Sequence, residues 1–157
     1  MSSWRPFIPQ EDLRLTGDEL IGLIKLNYTE GLYVRAYGFS CQRPSDLGGE
    51  KDIVNRTLLG IYADLACACS APTIEDYAYF SVRALRNIGE YYRGGVIGNA
   101  QLVQLSEEIE RLKRVGNIKF ASSNALPDAH EEYTDLLKNA EGLIEIQRHN
   151  DERGLRT

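Results

Sequence analysis

The chain has 157 residues, of which 43% are hydrophobic and 26% charged, and its formal net charge is −5. This length predicts one domain that buries about 70% of the surface its unfolded form exposes, and the composition excludes bulk disorder. The acidic balance argues against a general coat of positive charge for nucleic acid.

The cysteine count and the first residues predict a cellular location. Three cysteines are an odd number, and the start has no basic lead followed by an apolar run, so we expect reduced thiols and no export. No later stretch has transmembrane length. We therefore predict a cytoplasmic protein that does not associate with membranes.

An extended arm is predicted over residues 1–15, because Pro6 and Pro9 disfavour a helix there. We expect its apolar side chains to pack on the domain; they are Trp4, Phe7, Ile8 and Leu13.

The first helix is predicted near residues 17–38. Thr16 and Glu19 have the capping-box spacing that opens a helix. The helix either stops at Gly31 or continues to the end of that range. Residues 32–37 also fit a short strand by their alternation and aromatic content, but no partner strand is evident and we favour a helix.

A second buried helix is predicted near residues 50–69, after a loop over 40–49 that is rich in Pro, Ser, Asp and Gly. Its apolar residues recur at helical spacing and are Val54, Leu58, Ile61, Leu65 and Ala68. The turn at 70–72 is short, so this helix and the next should be antiparallel neighbours.

The helix predicted over 74–93 carries the widest apolar face in the sequence. Thr73 caps it, three residues ahead of Asp76. At 100° per residue the apolar side chains fill an arc of roughly 200°, so we expect neighbours on two sides. The arc contains Ile74, Tyr77, Ala78, Phe80, Ser81, Val82, Ala84, Leu85, Ile88, Tyr91 and Tyr92.

Two further helices are predicted near 99–115 and 128–149. In the first, Glu107–Arg111 and Glu110–Arg114 have the favourable i, i+4 order. Between the two helices we expect a loop over 116–127 with one extended piece at 118–120. The fold class is therefore an all-α, single-domain bundle of about five helices over residues 1–157, with an extended N-terminal arm.

No metal, cofactor or catalytic set is indicated. His130 and His149 lie about 28 Å apart on a continuous helix, and His149 fits a capping group at the helix end. Cys67 and Cys69 point about 200° apart on a helix and are interpreted as small packed residues. Without a base near any nucleophile, we expect a non-catalytic protein rather than an enzyme.

A charged ridge runs along the edge of the 74–93 helix. Its members recur at spacings of 4, 3, 4 and 3 and are Tyr79, Arg83, Arg86, Glu90 and Arg93. Glu90 lies inside the arginine arc and can pair with Arg86 and Arg93, which weakens a phosphate site. The ridge better fits an ion-pair network with another helix or subunit.

A second candidate surface, aromatic and basic, consists of Tyr33, Arg35 and Tyr37. Such side chains suit stacked bases and also protein-binding hot spots, although we expect most of the nine tyrosines to belong to the core.

The sequence favours a non-catalytic protein–protein interaction or structural assembly subunit, self-associating or bound to a protein partner. The alternative is a nucleic-acid-binding or packaging subunit, like a coat or nucleocapsid protein, that uses the central Arg/Tyr ridge. A helical protein that binds a small ligand is a further alternative.

Overall fold

A computed structural model of the chain describes residues 4–6, 14–121 and 126–152. Within these residues all regular structure is helical, which confirms the all-α class. There are seven described helices rather than about five. They are α1 (Gly17–Thr29), α2 (Tyr33–Ser40), α3 (Asp52–Ser70), α4 (Ile74–Arg93), α5 (Asn99–Gln104), α6 (Ser106–Phe120) and α7 (Pro127–Glu152).

The predicted 17–38 helix is two helices, because the chain turns at Gly31. Gly31 has a φ of 81°, a left-handed conformation that glycine adopts without steric cost. Residues 33–40 then form α2, so the strand alternative for this region is wrong. The predicted capping box is confirmed: the Glu19 amide donates to Thr16 Oγ1 at 3.2 Å, and the Thr16 amide donates to Glu19 Oε1 at 3.0 Å.

The predicted 99–115 helix is also divided, and it runs further than expected. α5 ends at Gln104 and α6 begins at Ser106, because the helical path is broken at Leu105. The extended piece and loop predicted from residue 116 are wrong as far as residue 120, since α6 continues to Phe120. Phe120 is buried there between the Tyr77 and Tyr133 rings.

α4 packs most extensively against α3, which precedes it, and against α7. α6 contacts α7, α1, α3 and α4, while α1 and α2 pack on each other and on α3. This arrangement gives α4 the neighbours that its wide apolar face requires. Its largest fully buried side chains are Tyr77, Phe80, Leu85 and Ile88.

The burial predicted for α4 holds for most of its arc but fails at the end. Leu85 and Ile88 are buried, whereas Tyr91 is 38% exposed.

At the N-terminal arm, Trp4 packs edge-on against Phe80 at a centroid distance of 6.2 Å. This contact confirms the docking expected for Trp4, while Phe7, Ile8 and Leu13 lie outside the described residues.

No described helix has the length and apolar character needed to span a membrane.

Candidate interaction surface

A groove of about 550 Å³ lies between α4 and the start of α7. Its apolar part is formed by small and medium side chains, and its charged residues carry both signs. The lining residues are Glu75, Ala78, Tyr79, Val82, Arg83, Arg86, Leu126, Ala129 and Glu132. Three members of the sequence-predicted ridge, Tyr79, Arg83 and Arg86, are therefore brought to one site.

Arg83 ties α4 to α3. Its Nε lies 3.2 Å from Asp64 Oδ2, and its Nη1 donates to the Tyr79 hydroxyl at 3.3 Å. The Asp64 carboxylate, together with the Tyr79 hydrogen bond, raises the pKa of Arg83. This guanidinium is held in place by two groups of its own chain.

Arg86 ties α4 to α7. Its Nη2 donates to Glu132 Oε2 at 2.6 Å, and both side chains are about half exposed. Arg86 thus forms an ion pair with another helix of the same chain. Because one nitrogen makes this bond, the other guanidinium donors of Arg86 can still meet a further carboxylate.

The C-terminal part of the predicted ridge does not join the groove. Glu90 and Arg93 are exposed and are absent from the groove lining. Neither forms an ion pair with another residue in the described part of the chain, so the predicted pairing of Glu90 with Arg86 and Arg93 is wrong. The Arg93 guanidinium instead lies over the backbone of Gly89.

Tyr33, Arg35 and Tyr37 do not form a continuous binding surface. Tyr33 packs edge-on against Tyr28 at 5.3 Å, and Tyr37 is half-buried against the core, while Arg35 is exposed. Residues two apart on a helix point in nearly opposite directions. The structure therefore separates the arginine of this set from its two tyrosines.

Asp64, which pairs with the groove residue Arg83, has a pKa that its surroundings raise. Its side chain is 11% exposed, and burial raises its pKa from 3.8 to about 6, although Arg83 and Arg5 act in the opposite direction. The folded protein thus takes up a proton at Asp64 more readily than the unfolded chain does.

We expect Asp64 to make stability fall as the pH rises from about 4 to about 6. Its contribution is fully present below the unfolded pKa of 3.8 and is lost through the folded pKa of about 6, a change on the order of 1–3 kcal/mol. Urea unfolding of native protein and Asp64→Asn at several pH values measures it. If the difference in the free energy of unfolding between native protein and Asp64→Asn were the same at every pH in this range, the expectation would be contradicted. Asp18→Asn provides a control of opposite sign, since hydrogen bonds from Asn55 and Lys51 lower the pKa of Asp18.

A buried carboxylate on α6 was not predicted from the sequence. Glu108 is 1% exposed and bonds Lys25 Nζ at 2.7 Å and the Tyr62 hydroxyl at 3.3 Å through Oε1, while its buried Oε2 has no partner among the described residues. The helical spacing of the sequence indicates this burial: Glu108 lies three residues after Leu105 and four before Leu112, on the apolar side of the helix.

A second groove, of about 490 Å³, is more polar and mixes three arginines with two glutamates. Its charged members are Glu107, Glu110, Arg111, Arg114 and Arg148. Arg111 donates to the Thr29 carbonyl at 2.6 Å, which secures α6 to the end of α1. The predicted i, i+4 ion pairs of α6 are not formed among the described residues.

The other candidate chemical groups are dispersed. Cys67 and Cys69 are buried in α3 and Cys41 is exposed, all three with free thiols. Burial raises the pKa of each of the two α3 thiols to about 12, so both are held as neutral packed groups. His130 stacks on the Phe120 ring at 4.2 Å. The described residues hold no group of three or more His, Cys, Asp or Glu that could bind a metal ion.

Comparison of the chain with protein-family models, with curated proteins and with solved structures finds no match.

Proposed function

We propose that this chain is a non-catalytic assembly subunit that self-associates, and that the groove between α4 and α7 is its contact surface. The observation that supports the proposal is the composition of the groove. An apolar floor of Ala78 and Val82 is bordered by a tyrosine and by charges of both signs, the combination that protein–protein contacts use for affinity and register.

The arginines of the groove favour a protein over a nucleic acid. Arg83 and Arg86 are already paired with Asp64 and Glu132, so much of their charge is neutralised locally. A phosphate backbone needs uncompensated positive charge. The charged groups of a protein partner can bind to these ion pairs without displacing either carboxylate.

The mass of the protein in solution, measured by sedimentation over a range of concentrations, tests this proposal. We expect association in the native protein and its loss in Ala129→Arg, because a long charged side chain would then cover the apolar floor from the half-buried rim position. Ala100→Arg is the matched control, since Ala100 is exposed on α5 and does not line the groove. Circular dichroism should show the same helix content in all three.

Two results would contradict the proposal: a native protein that stays monomeric at every concentration, or an oligomer that Ala129→Arg leaves unchanged. Nucleic acid retained at about 150 mM salt and lost in Arg86→Ala, with the mass of the protein unchanged, would favour the packaging alternative. In that case Glu90→Gln should tighten nucleic-acid binding, whereas an assembly subunit should show no such gain.

A further inference from the structure

The charges and the floor of the groove lie along one stripe of α4 in a palindromic order. Glu75, Tyr79, Val82 and Arg86 follow one another at spacings of 4, 3 and 4, and all four line the groove. These spacings keep the residues on one side of a helix. An acidic residue therefore opens the stripe, a basic residue closes it, and the half-buried Tyr79 and the largely buried Val82 lie between them.

A stripe of this order is complementary to itself when it runs antiparallel to a second copy. In a twofold helix pair, residue i of one copy faces residue j of the other and j faces i. The register that sets Tyr79 of one copy opposite Val82 of the other also sets Glu75 of one copy opposite Arg86 of the other. Within one helix, Glu75 and Arg86 are about 16 Å apart along the axis. By symmetry each contact occurs twice: the Glu75–Arg86 contacts lie at the two ends of the stripe, and the Tyr79–Val82 contacts lie near its middle.

Glu75 gives a second reason for a twofold pair, because it is the charged residue of the groove that has no ion-pair partner among the residues the structure describes. Glu75 is exposed and makes no ion pair with the residues that the structure describes. Arg86 bonds Glu132 through one nitrogen and keeps further donors for a second carboxylate. The unpaired acid and the incompletely used base occupy opposite ends of one stripe.

We propose that two copies of this chain associate about a twofold axis through the middle of α4, with Glu75 of each copy bound to Arg86 of the other. Tyr79 of one copy packs over Val82 of the other and fills part of the groove. This arrangement rests on the proposed function and assigns the partner and the register of the same surface. The small floor residue Ala78 allows the two helices to approach closely.

Mixing two charge-reversed variants tests the register without relying on the stability of either one. Glu75→Lys alone and Arg86→Glu alone each place like charges together at both ends of the pair, so each should weaken self-association about tenfold to thirtyfold. In an equimolar mixture the reversed residues face each other and the native residues face each other. The mixture should therefore recover association as a heterodimer, measured by native mass spectrometry with one chain isotope-labelled.

Any loss of the Arg86–Glu132 pair inside a chain is present equally in the mixture, so recovery reports contacts between copies. Glu145→Lys and Lys138→Glu are the matched controls: both positions are exposed on α7, neither lines the groove, and both variants should associate like native protein. Failure of the mixture to recover would overturn the twofold register. If Ala129→Arg still dissociated the protein, the proposed function would stand while this inference fell, whereas a native monomer would remove both.

Discussion

Replacing Gly116 with alanine is expected to lower the free energy of unfolding by about 3 kcal/mol, from overpacking and lost hydrogen bonds together. A β-carbon at this α6 position would overlap the hydroxyl groups of Tyr77 and Tyr133. Those hydroxyls are bonded to each other at 2.9 Å, and Tyr77 also donates to the Leu112 carbonyl at 2.7 Å. Both tyrosines are buried, so neither can move into solvent.

Gly142→Ala is the matched control for this change. Gly142 also lies inside a helix, but an added β-carbon there would meet no atom within 4 Å. Alanine should therefore stabilise the protein by about 0.5–1 kcal/mol through its helix propensity. Urea titration of the two variants measures the contrast, and a Gly116→Ala protein as stable as Gly142→Ala would contradict the packing of Tyr77 and Tyr133 against Gly116.

Replacing Lys25 with methionine should cost about 3 kcal/mol, because it leaves a buried carboxylate without its counter-charge, although Lys25 itself is 33% exposed. Methionine keeps the length of the side chain but removes the ammonium that bonds Glu108 at 2.7 Å and the Gln104 carbonyl at 2.8 Å. Glu108 would remain 1% exposed without a compensating charge. The Gln104 carbonyl, at the break between α5 and α6, would also lose its side-chain partner.

Two comparisons separate this effect from a general loss of charge. Lys113→Met breaks a pair with Glu141, a carboxylate that is 34% exposed where Glu108 is 1% exposed, and it should cost less than about 1 kcal/mol. Adding Glu108→Gln to Lys25→Met should recover part of the loss, because a neutral amide needs no counter-charge. Equal costs for Lys25→Met and Lys113→Met in urea titrations would contradict a buried Glu108 carboxylate that depends on Lys25.

The features that sequence patterns predicted correctly depend on neighbouring residues. The start of α4 follows from Thr73, whose Oγ1 accepts from the Asp76 amide at 3.1 Å, and its buried face follows from helical periodicity. The caps at Thr16 and Thr73 are formed by residues three positions away in sequence. Such signals are complete within a single turn of helix.

The features that the sequence did not predict depend on distant contacts. Gly116 resembles a helix stop, yet its missing side chain provides space for two tyrosines from α4 and α7. Phe120 belongs to a helix because it packs on Tyr77 and on His130. No local pattern distinguishes a glycine that ends a helix from one that admits a neighbouring ring.

The candidate site was predicted in part for the same reason. Helical spacing correctly brought Tyr79, Arg83 and Arg86 to one edge of α4. The carboxylates that pair with the arginines come from α3 and α7, 19 and 46 positions away, which no spacing rule could identify. Glu90, the acid closest in sequence, pairs with neither arginine in the described part of the chain.

A dilution series of amide NMR spectra on the native protein tests the central claim most directly, because it locates the contact without any substitution. Between about 500 and about 10 µM, resonances of residues 75–86 in α4 and of the first turn of α7 should shift with concentration, while those of α1 and α2 stay fixed. Spectra that do not change with concentration, or shifts confined to other helices, would contradict self-association through this groove.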